Sequence, residues 1–152
     1  MTAWEFAGAL WARPGVQALC LELQDAHGQC LPLLLWRLWT LDERRCPSPV
    51  CLAEAVDAAR AWETGVIGPA RLARGRLKSP LPLVDTATRL ALRDLMRAAE
   101  LAAERALLDG LERLAPPPGA VAEPPLAAMI ALAELWCAPA PIDLLARLVA
   151  AL

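Results

Sequence analysis

The sequence contains few residues that favour β-strands. Tyrosine is absent, phenylalanine occurs once, and β-branched residues are sparse, whereas alanine and leucine supply much of the 57% hydrophobic fraction. Alanine and leucine are strong helix formers, while β-branched and aromatic residues are the ones enriched in strands. We therefore expect an all-α fold. A chain of 152 residues is long enough to bury a core of its own.

Signals for export and for membrane insertion are also missing. The first residues lack a cationic segment and carry Glu5 among apolar side chains, which is not typical of a signal peptide. The longest apolar runs, 31–41 and 126–133, are shorter than the ~20 residues that span a bilayer. Five cysteines without regular spacing fit reduced thiols better than a disulfide framework. We expect a soluble cytoplasmic protein without a membrane anchor.

Charge and missing motifs argue against further classes. The formal net charge is -2, which gives no general attraction to nucleic acid or to anionic membranes. The motifs of phosphate-binding loops, dinucleotide sites, serine hydrolases and zinc proteases do not occur in the sequence. Nucleotide-dependent and common hydrolytic chemistry therefore lose their usual sequence support. We expect no cofactor and favour a non-enzymatic role.

Hydrophobic periodicity predicts three parts of the chain. Residues 1–115 are expected to form a compact bundle of about five or six helices, followed by a proline-rich linker at 116–125. Residues 126–152 are expected to form a C-terminal helical pair. Thr2 and Glu5 have the spacing of a capping box, in which each side chain accepts a hydrogen bond from the other residue's backbone N–H. The first helix is therefore expected to begin directly after Thr2.

Two predicted helices define the expected core. The segment from Pro32 to Leu41 is apolar on nearly all sides, which is typical of a buried central helix. The longest helix is expected from Asp85 to Ala115, with one buried seam along its length. The seam comprises Leu92, Met96, Ala99, Ala103 and Leu107. A weakened or kinked helix is expected at Gly65, Gly68 and Pro69.

A polar island carries the only histidine of the chain. Gln24, Asp25 and His27 interrupt two apolar runs, and a carboxylate that orients an imidazole can serve acid-base chemistry. Residues two apart on a helix diverge, so Asp25 and His27 are not expected to pair directly. The alternative is structural, because His27 and Gly28 can end the second helix. Gln24, Asp25, His27 and Arg37 are the candidate polar site, with helix termination as the preferred interpretation.

A basic segment, residues 70–78, contains Arg71, Arg74 and Lys78 and no acidic residue. Arginines three positions apart share a helix face and can bind phosphate or an acidic partner. The alternative is a solvated helix face, or cations placed favourably at a helix end. Arg71, Arg74 and Lys78 are therefore a candidate anion-binding site.

Cysteines and tryptophans are interpreted mainly as core residues. Cys20, His27 and Cys30 are close in sequence, but cysteines on apolar stripes behave as small hydrophobic side chains, so we expect no metal site. Five tryptophans have helical spacing and are expected in the core: Trp4, Trp11, Trp36, Trp39 and Trp62. The apolar C-terminal pair is expected either to fold back or to join another subunit. Its candidate interface residues are Met129, Ile130 and Trp136.

Several short motifs are similar to those of a known family. They are Trp4 with Phe6, Trp11-Ala12-Arg13-Pro14-Gly15-Val16, Cys20-Leu21, Leu23-Gln24-Asp25, Gly28, Leu33-Leu34-Leu35 and Trp39. With these motifs, roughly residues 3–114 resemble a proteobacterial family of small all-helical proteins whose function is uncharacterised. The resemblance implies a helical fold and no particular activity. It also implies an acidic residue near Cys30 and a polar one near Pro32, so this chain departs from the family pattern there.

Three functional hypotheses follow from these patterns. The leading one is a non-enzymatic protein-protein interaction or adaptor module, or a homo-oligomer, that uses the C-terminal extension. The second is a small-molecule-binding or enzymatic helical bundle with a polar pocket around Asp25 and His27. The third is nucleic-acid or anion binding through the segment from Arg71 to Lys78.

Overall fold

The computed structural model describes residues 1–119 and 123–152. Within these residues the chain is all-helical, with seven helical rods, no strand and 72% helix. The helices are α1 (Ala3–Trp11), α2 (Val16–Asp25), α3 (Leu31–Asp42), α4 (Pro49–Trp62), α5 (Gly68–Arg76), α6 (Thr86–Leu114), α7 (Pro125–Trp136) and α8 (Ile142–Val149). A π-helical turn, Glu63–Ile67, joins α4 and α5 into one rod. The all-α prediction is confirmed for the described residues, and the number of rods is a little above five or six.

The third helix is the centre of the molecule. Every residue from 31 to 40 is buried, including two tryptophans, and α3 contacts α1, α2, α4, α6 and α7. A helix whose side chains are apolar on all sides gains most by being enclosed, because each fully buried leucine contributes about 1.5–3 kcal/mol. The predicted central helix is therefore confirmed.

Local capping signals fix the two helix starts that matter most for the site. The Glu5 N–H donates to the Thr2 hydroxyl at 3.2 Å, and the Thr2 N–H donates to the Glu5 carboxylate at 2.9 Å. At the start of α6, the Thr88 N–H donates to the Asp85 carboxylate at 2.9 Å. These bonds satisfy backbone donors that a helix terminus leaves unpaired. The predicted capping box is confirmed, and the predicted long helix agrees with α6 to within one residue at each end.

The weakened or kinked helix that the sequence predicts around Gly65, Gly68 and Pro69 corresponds to the π-helical turn between α4 and α5. Pro69 has no N–H to donate, so the regular α-helical bond to the carbonyl of Gly65 is lost there. The backbone passes so close to itself that a Cβ on Gly68 would lie 2.6 Å from the Glu63 carbonyl oxygen. Glycine is therefore required at position 68. π-Helical turns often occur at functional sites, and this one positions Glu63 next to α5 and α6.

The C-terminal helices fold back onto the rest of the chain. Met129, Leu132, Leu145 and Leu148 are fully buried in the same core as α1 to α6. Of the two alternatives left open by the sequence, the structure has the intramolecular one. The predicted division into residues 1–115, 116–125 and 126–152 stays a prediction, and residues 120–122 of the expected linker lie outside the described residues.

The predicted seam along α6 is only half right. Ala103 and Leu107 are buried, but Leu92 is 41% exposed and Ala99 is exposed as well. In the described structure no residue between 78 and 99 is buried, and α5 contributes no buried residue either. We call α5 together with residues 77–99 the arm, and the remainder the body. Among the described helices, none is both long and apolar enough to cross a membrane.

A candidate binding groove between α1, α2, α3 and α6

A groove of about 590 Å³ lies where the arm meets the body. Its walls come from four helices and one arginine of α5, so it is a feature of the tertiary structure. The apolar lining residues are Trp4, Ala7, Trp11, Leu21, Leu31, Pro32, Leu35, Leu101 and Leu108. The polar lining residues are Gln17, Gln24, Arg74, Arg93, Asp94, Arg97, Glu100 and Glu104. Such a combination of apolar walls and a few polar groups is typical of binding sites.

One wall of the groove is a regular face of α1. Trp4, Gly8 and Trp11 follow each other at helical spacing and all line the groove. Gly8 leaves open space on this face, since a Cβ at this position would meet nothing within 4 Å. Trp4 and Trp11 were expected in the core, but both are only half-buried, whereas Trp36 and Trp39 are fully enclosed. The groove accounts for this difference.

A charge cluster of two arginines and three carboxylates borders the groove. Arg71 contacts Glu63 at 2.7 Å, Glu100 at 3.0 Å and Glu104 at 3.5 Å. Arg74 contacts Glu100 at 2.6 Å. The sequence places Glu63 in the π-helical turn and the other two carboxylates one turn apart on α6. Three acids around two bases leave an excess of one negative charge in a partly buried place.

Burial raises the pKa values of two groups in and beside the charge cluster. Burial raises the pKa of Glu104, and the neighbouring carboxylate of Glu100 raises it further, against the opposing effect of Arg71. Burial also raises the pKa of the Cys30 thiol to about 12. A raised pKa favours the neutral thiol of Cys30 at neutral pH.

Two arginines on the groove wall are not part of the charge cluster. Within the described residues, the buried Nε of Arg93 has no hydrogen-bond partner, and Arg97 forms no ion pair. They lie one turn apart on α6, with Asp94 between them. The sequence patterns did not single out either arginine, because nothing local distinguishes them from other solvated positions of a long amphipathic helix.

The candidate polar site is not assembled as one constellation. Gln24 lines the groove and donates to the Asp25 carboxylate at 3.2 Å, but Asp25 and His27 are exposed and are not among the lining residues. Arg37 is 1% exposed and contacts Glu123 at 2.5 Å. Gly28 has a φ of 61°, which is the left-handed conformation expected at a helix stop.

The candidate anion site is largely occupied by the protein itself. Arg71 and Arg74 both donate to carboxylates of the charge cluster, so an incoming anion would have to compete with those carboxylates. Lys78 is exposed, two residues beyond the end of α5. The three cations therefore do not present three free charges on one face.

The candidate interface residues of the extension contact other parts of the same chain. Met129 is fully buried, and Ile130 is half-buried against the core. The Trp136 indole N–H donates to the Gly28 carbonyl at 2.8 Å, and its ring lies under the guanidinium of Arg60 at 4.7 Å. In the part of the chain that is described, no three metal-ligating side chains are grouped closely enough to hold an ion.

Comparison with known proteins identifies the family. Residues 2–111 match the family described as protein of unknown function (DUF2390). No curated protein and no solved structure matches the chain. The matched residues include all of those that line the groove, whereas α7 and α8 lie beyond the match. In agreement with the motifs of its first 39 residues, the chain belongs to the DUF2390 family.

Proposed function

We propose that this protein is a non-enzymatic protein-protein interaction module and that the groove binds a segment of its partner. The proposal rests on the apolar wall of the groove, which the described residues leave partly exposed. Two half-buried tryptophans, Trp4 and Trp11, lie on this wall with Gly8 between them in sequence. Tryptophan is enriched among residues that dominate binding energy, and an apolar groove between helices is a common receptor for a partner helix.

The exposed apolar lining of the groove supports a protein segment as the occupant. Leu101 lines the groove and is 52% exposed, so it presents apolar surface that none of the described residues covers. Contiguous exposed apolar surface of this kind marks interaction sites in soluble proteins. The open space at Gly8, in the same groove lining as Trp4 and Trp11, gives room for an apolar side chain of the partner.

The groove is a better candidate for this surface than the C-terminal extension. Met129 is fully buried within the chain, and Trp136 already has a hydrogen bond and a cation contact inside the molecule. A side chain that is already buried or bonded within the molecule contributes little binding energy to a partner unless the extension detaches. We therefore move the proposed interface from the extension to the groove.

Site-specific photo-crosslinking in cells of the source organism tests this function. Leu101 is replaced with benzoylphenylalanine, and Leu135, equally exposed at 52% but outside the groove, is replaced in a control chain. We expect the Leu101 variant to form a covalent product with one protein and the Leu135 variant to form none. A covalent dimer of this chain would identify the partner as a second copy.

The substitution Gly8→Leu provides the specificity control. A Cβ at position 8 would meet nothing within 4 Å, so we expect the leucine to extend into the open groove, which leaves the fold intact and obstructs the groove. Gly75→Leu is the matched control, because Gly75 is also a helical glycine with open space at its Cβ and does not line the groove. Crosslinking that survives Gly8→Leu, or that occurs equally from Leu135, would contradict the proposed function.

A further inference from the structure

We infer that the partner segment carries a carboxylate, and that Arg93 and Arg97 bind it at the edge of the groove. The inference rests on the proposed function and adds the chemistry of the occupant. An apolar segment fills the space beside Trp4 and Trp11, and an aspartate or glutamate next to it pairs with the two arginines.

Arg93 supplies the first observation. Its side chain lines the groove, and its Nε is shielded from solvent with no hydrogen-bond partner within the described residues. A buried donor without an acceptor is destabilising, and most buried polar groups in proteins are paired. A carboxylate from a bound segment would pair with the terminal nitrogens of this guanidinium group, and a small shift of the side chain would let it accept from the Nε as well.

Arg97 supplies the second observation. It lies four residues after Arg93 on α6, so the two side chains share a face, and both line the same groove. Within the described structure Arg97 forms no ion pair, and its side chain is exposed. Two guanidinium groups one turn apart can hold one carboxylate through several charge-assisted hydrogen bonds.

The other charges near the groove indicate why these two arginines are the ones that remain available. Arg74 lines the groove too, but it is paired with Glu100 at 2.6 Å. Two of the three acidic lining residues, Glu100 and Glu104, are paired with arginines of the charge cluster, which leaves Asp94 as the acid without an ion pair in the described residues beside Arg93 and Arg97. Complementary charge adds specificity to an apolar contact and speeds association.

Selection from a random peptide display library tests the inference without knowledge of the natural partner. The wild-type chain is the bait, and peptides that also bind the Gly8→Leu chain are removed. We expect the remaining peptides to combine apolar residues with a nearby aspartate or glutamate. For a selected peptide, replacing that acid with the matching amide should weaken binding to the wild-type chain about tenfold.

The double substitution Arg93→Gln and Arg97→Gln assigns the effect to the two arginines. In this variant the acidic peptide and its amide counterpart should bind with equal affinity, and the affinity for the acidic peptide should fall about tenfold. Arg97→Gln alone, at an exposed position, serves as the variant whose folding is not at risk. The affinity of this single variant for the acidic peptide should fall, but by less than the affinity of the double variant does.

The outcomes separate the inference from the proposed function. Peptides that depend on an open groove but show no preference for acids, or that bind the double variant as well as the wild type, would overturn the inference and leave the function standing. A library that yields no peptide sensitive to Gly8→Leu would contradict the function, and the inference would fall with it.

Discussion

The two halves of α6 both carry leucines and alanines at helical spacing, but they differ in their surroundings. Leu107, in the second half, is 2% exposed, whereas Leu95, in the first half, is 62% exposed. Within the described residues, the polar contacts that join α6 to α1 and α4 lie in the second half, such as the Ala3 N–H to Glu112 at 2.7 Å. The first half is bonded mainly to the end of α5, where Arg89 donates to the Leu77 carbonyl at 2.7 Å.

Amphipathic periodicity therefore predicts which face of a helix is apolar. It does not predict how much of that face is covered by the rest of the fold. The second half of α6 builds the core, while the first half leaves apolar side chains and arginines available beside the groove. Apolar side chains grouped around a groove are a common feature of interaction sites. The following predictions test whether the body and the arm differ as described.

The largest expected effect is the contrast between two leucine truncations on α6. Leu107→Ala removes a fully packed side chain and should cost about 2–5 kcal/mol of unfolding free energy. Leu95→Ala removes an exposed side chain and should change that free energy by less than about 0.5 kcal/mol. Urea denaturation of both variants measures the contrast. Equal losses would show that the first half of α6 is packed as tightly as the second.

The next effect concerns the buried cation of the body. Glu123→Ala leaves Arg37 without its carboxylate and should cost about 1–3 kcal/mol, and adding Arg37→Met should recover most of this loss. In the arm, Arg74→Met should cost less, because Glu100 keeps its bond to Arg71 at 3.0 Å. Denaturant titrations of the four chains provide the comparison. A loss that persists in the double variant would mean that Glu123 acts through other contacts.

A smaller effect should appear in the pH dependence of stability. The pKa of Glu104 is raised above the ordinary 4.5, so the folded state holds this proton more tightly than the unfolded state does. Its ionisation therefore lowers stability as pH rises from 4.5 through the folded pKa. Glu104→Gln should stabilise the protein at neutral pH and remove that slope, as followed by thermal unfolding between pH 4 and pH 8.

Asp85 gives a control of opposite sign for the pH experiment. Its pKa is lowered by hydrogen bonds from Thr88, so its contribution is present above the ordinary value of 3.8 and is lost as pH falls through the folded pKa. Asp85→Asn should reduce the loss of stability in acid. If both variants changed the profile in the same direction, the assigned cause of the Glu104 shift would be wrong.

The smallest expected effect compares two helical glycines with open space at the Cβ position. Gly8→Ala in the body should raise the unfolding free energy by about 0.5–1 kcal/mol, because alanine loses less conformational entropy in a helix. Gly75→Ala in the arm should raise it less, because an arm with no buried residue in α5 can open before the body unfolds. Thermal midpoints of the two variants measure the difference.

Much of the helical framework was predictable from local signals. The bounds of α6 followed from an aspartate at its start and a proline run after its end, and the capping box at Thr2 followed from residue spacing. Such signals are local because each involves side chains within one helical turn of the backbone groups that they satisfy. The central position of α3 followed from its composition alone.

The groove and its charges were not predictable in the same way. Glu63 and Glu100 meet at Arg71 although they are far apart in sequence, and no pattern of either segment indicates the meeting. The stripe of Trp4, Gly8 and Trp11 was visible, but a stripe has the same appearance when it is buried and when it lines a groove. Whether the stripe is buried or lines a groove depends on how α6 is placed relative to α1.

Hydrogen-deuterium exchange of the free chain and of its complex with a groove-dependent peptide tests the central claim most directly. For the free chain we predict rapid exchange of the amides in the arm and slow exchange of those in the second half of α6. Peptide binding should slow exchange in α1 and around Arg93 and Arg97, and leave α7 and α8 unchanged. Uniform protection along α6 in the free chain, or new protection confined to the C-terminal helices, would contradict the account.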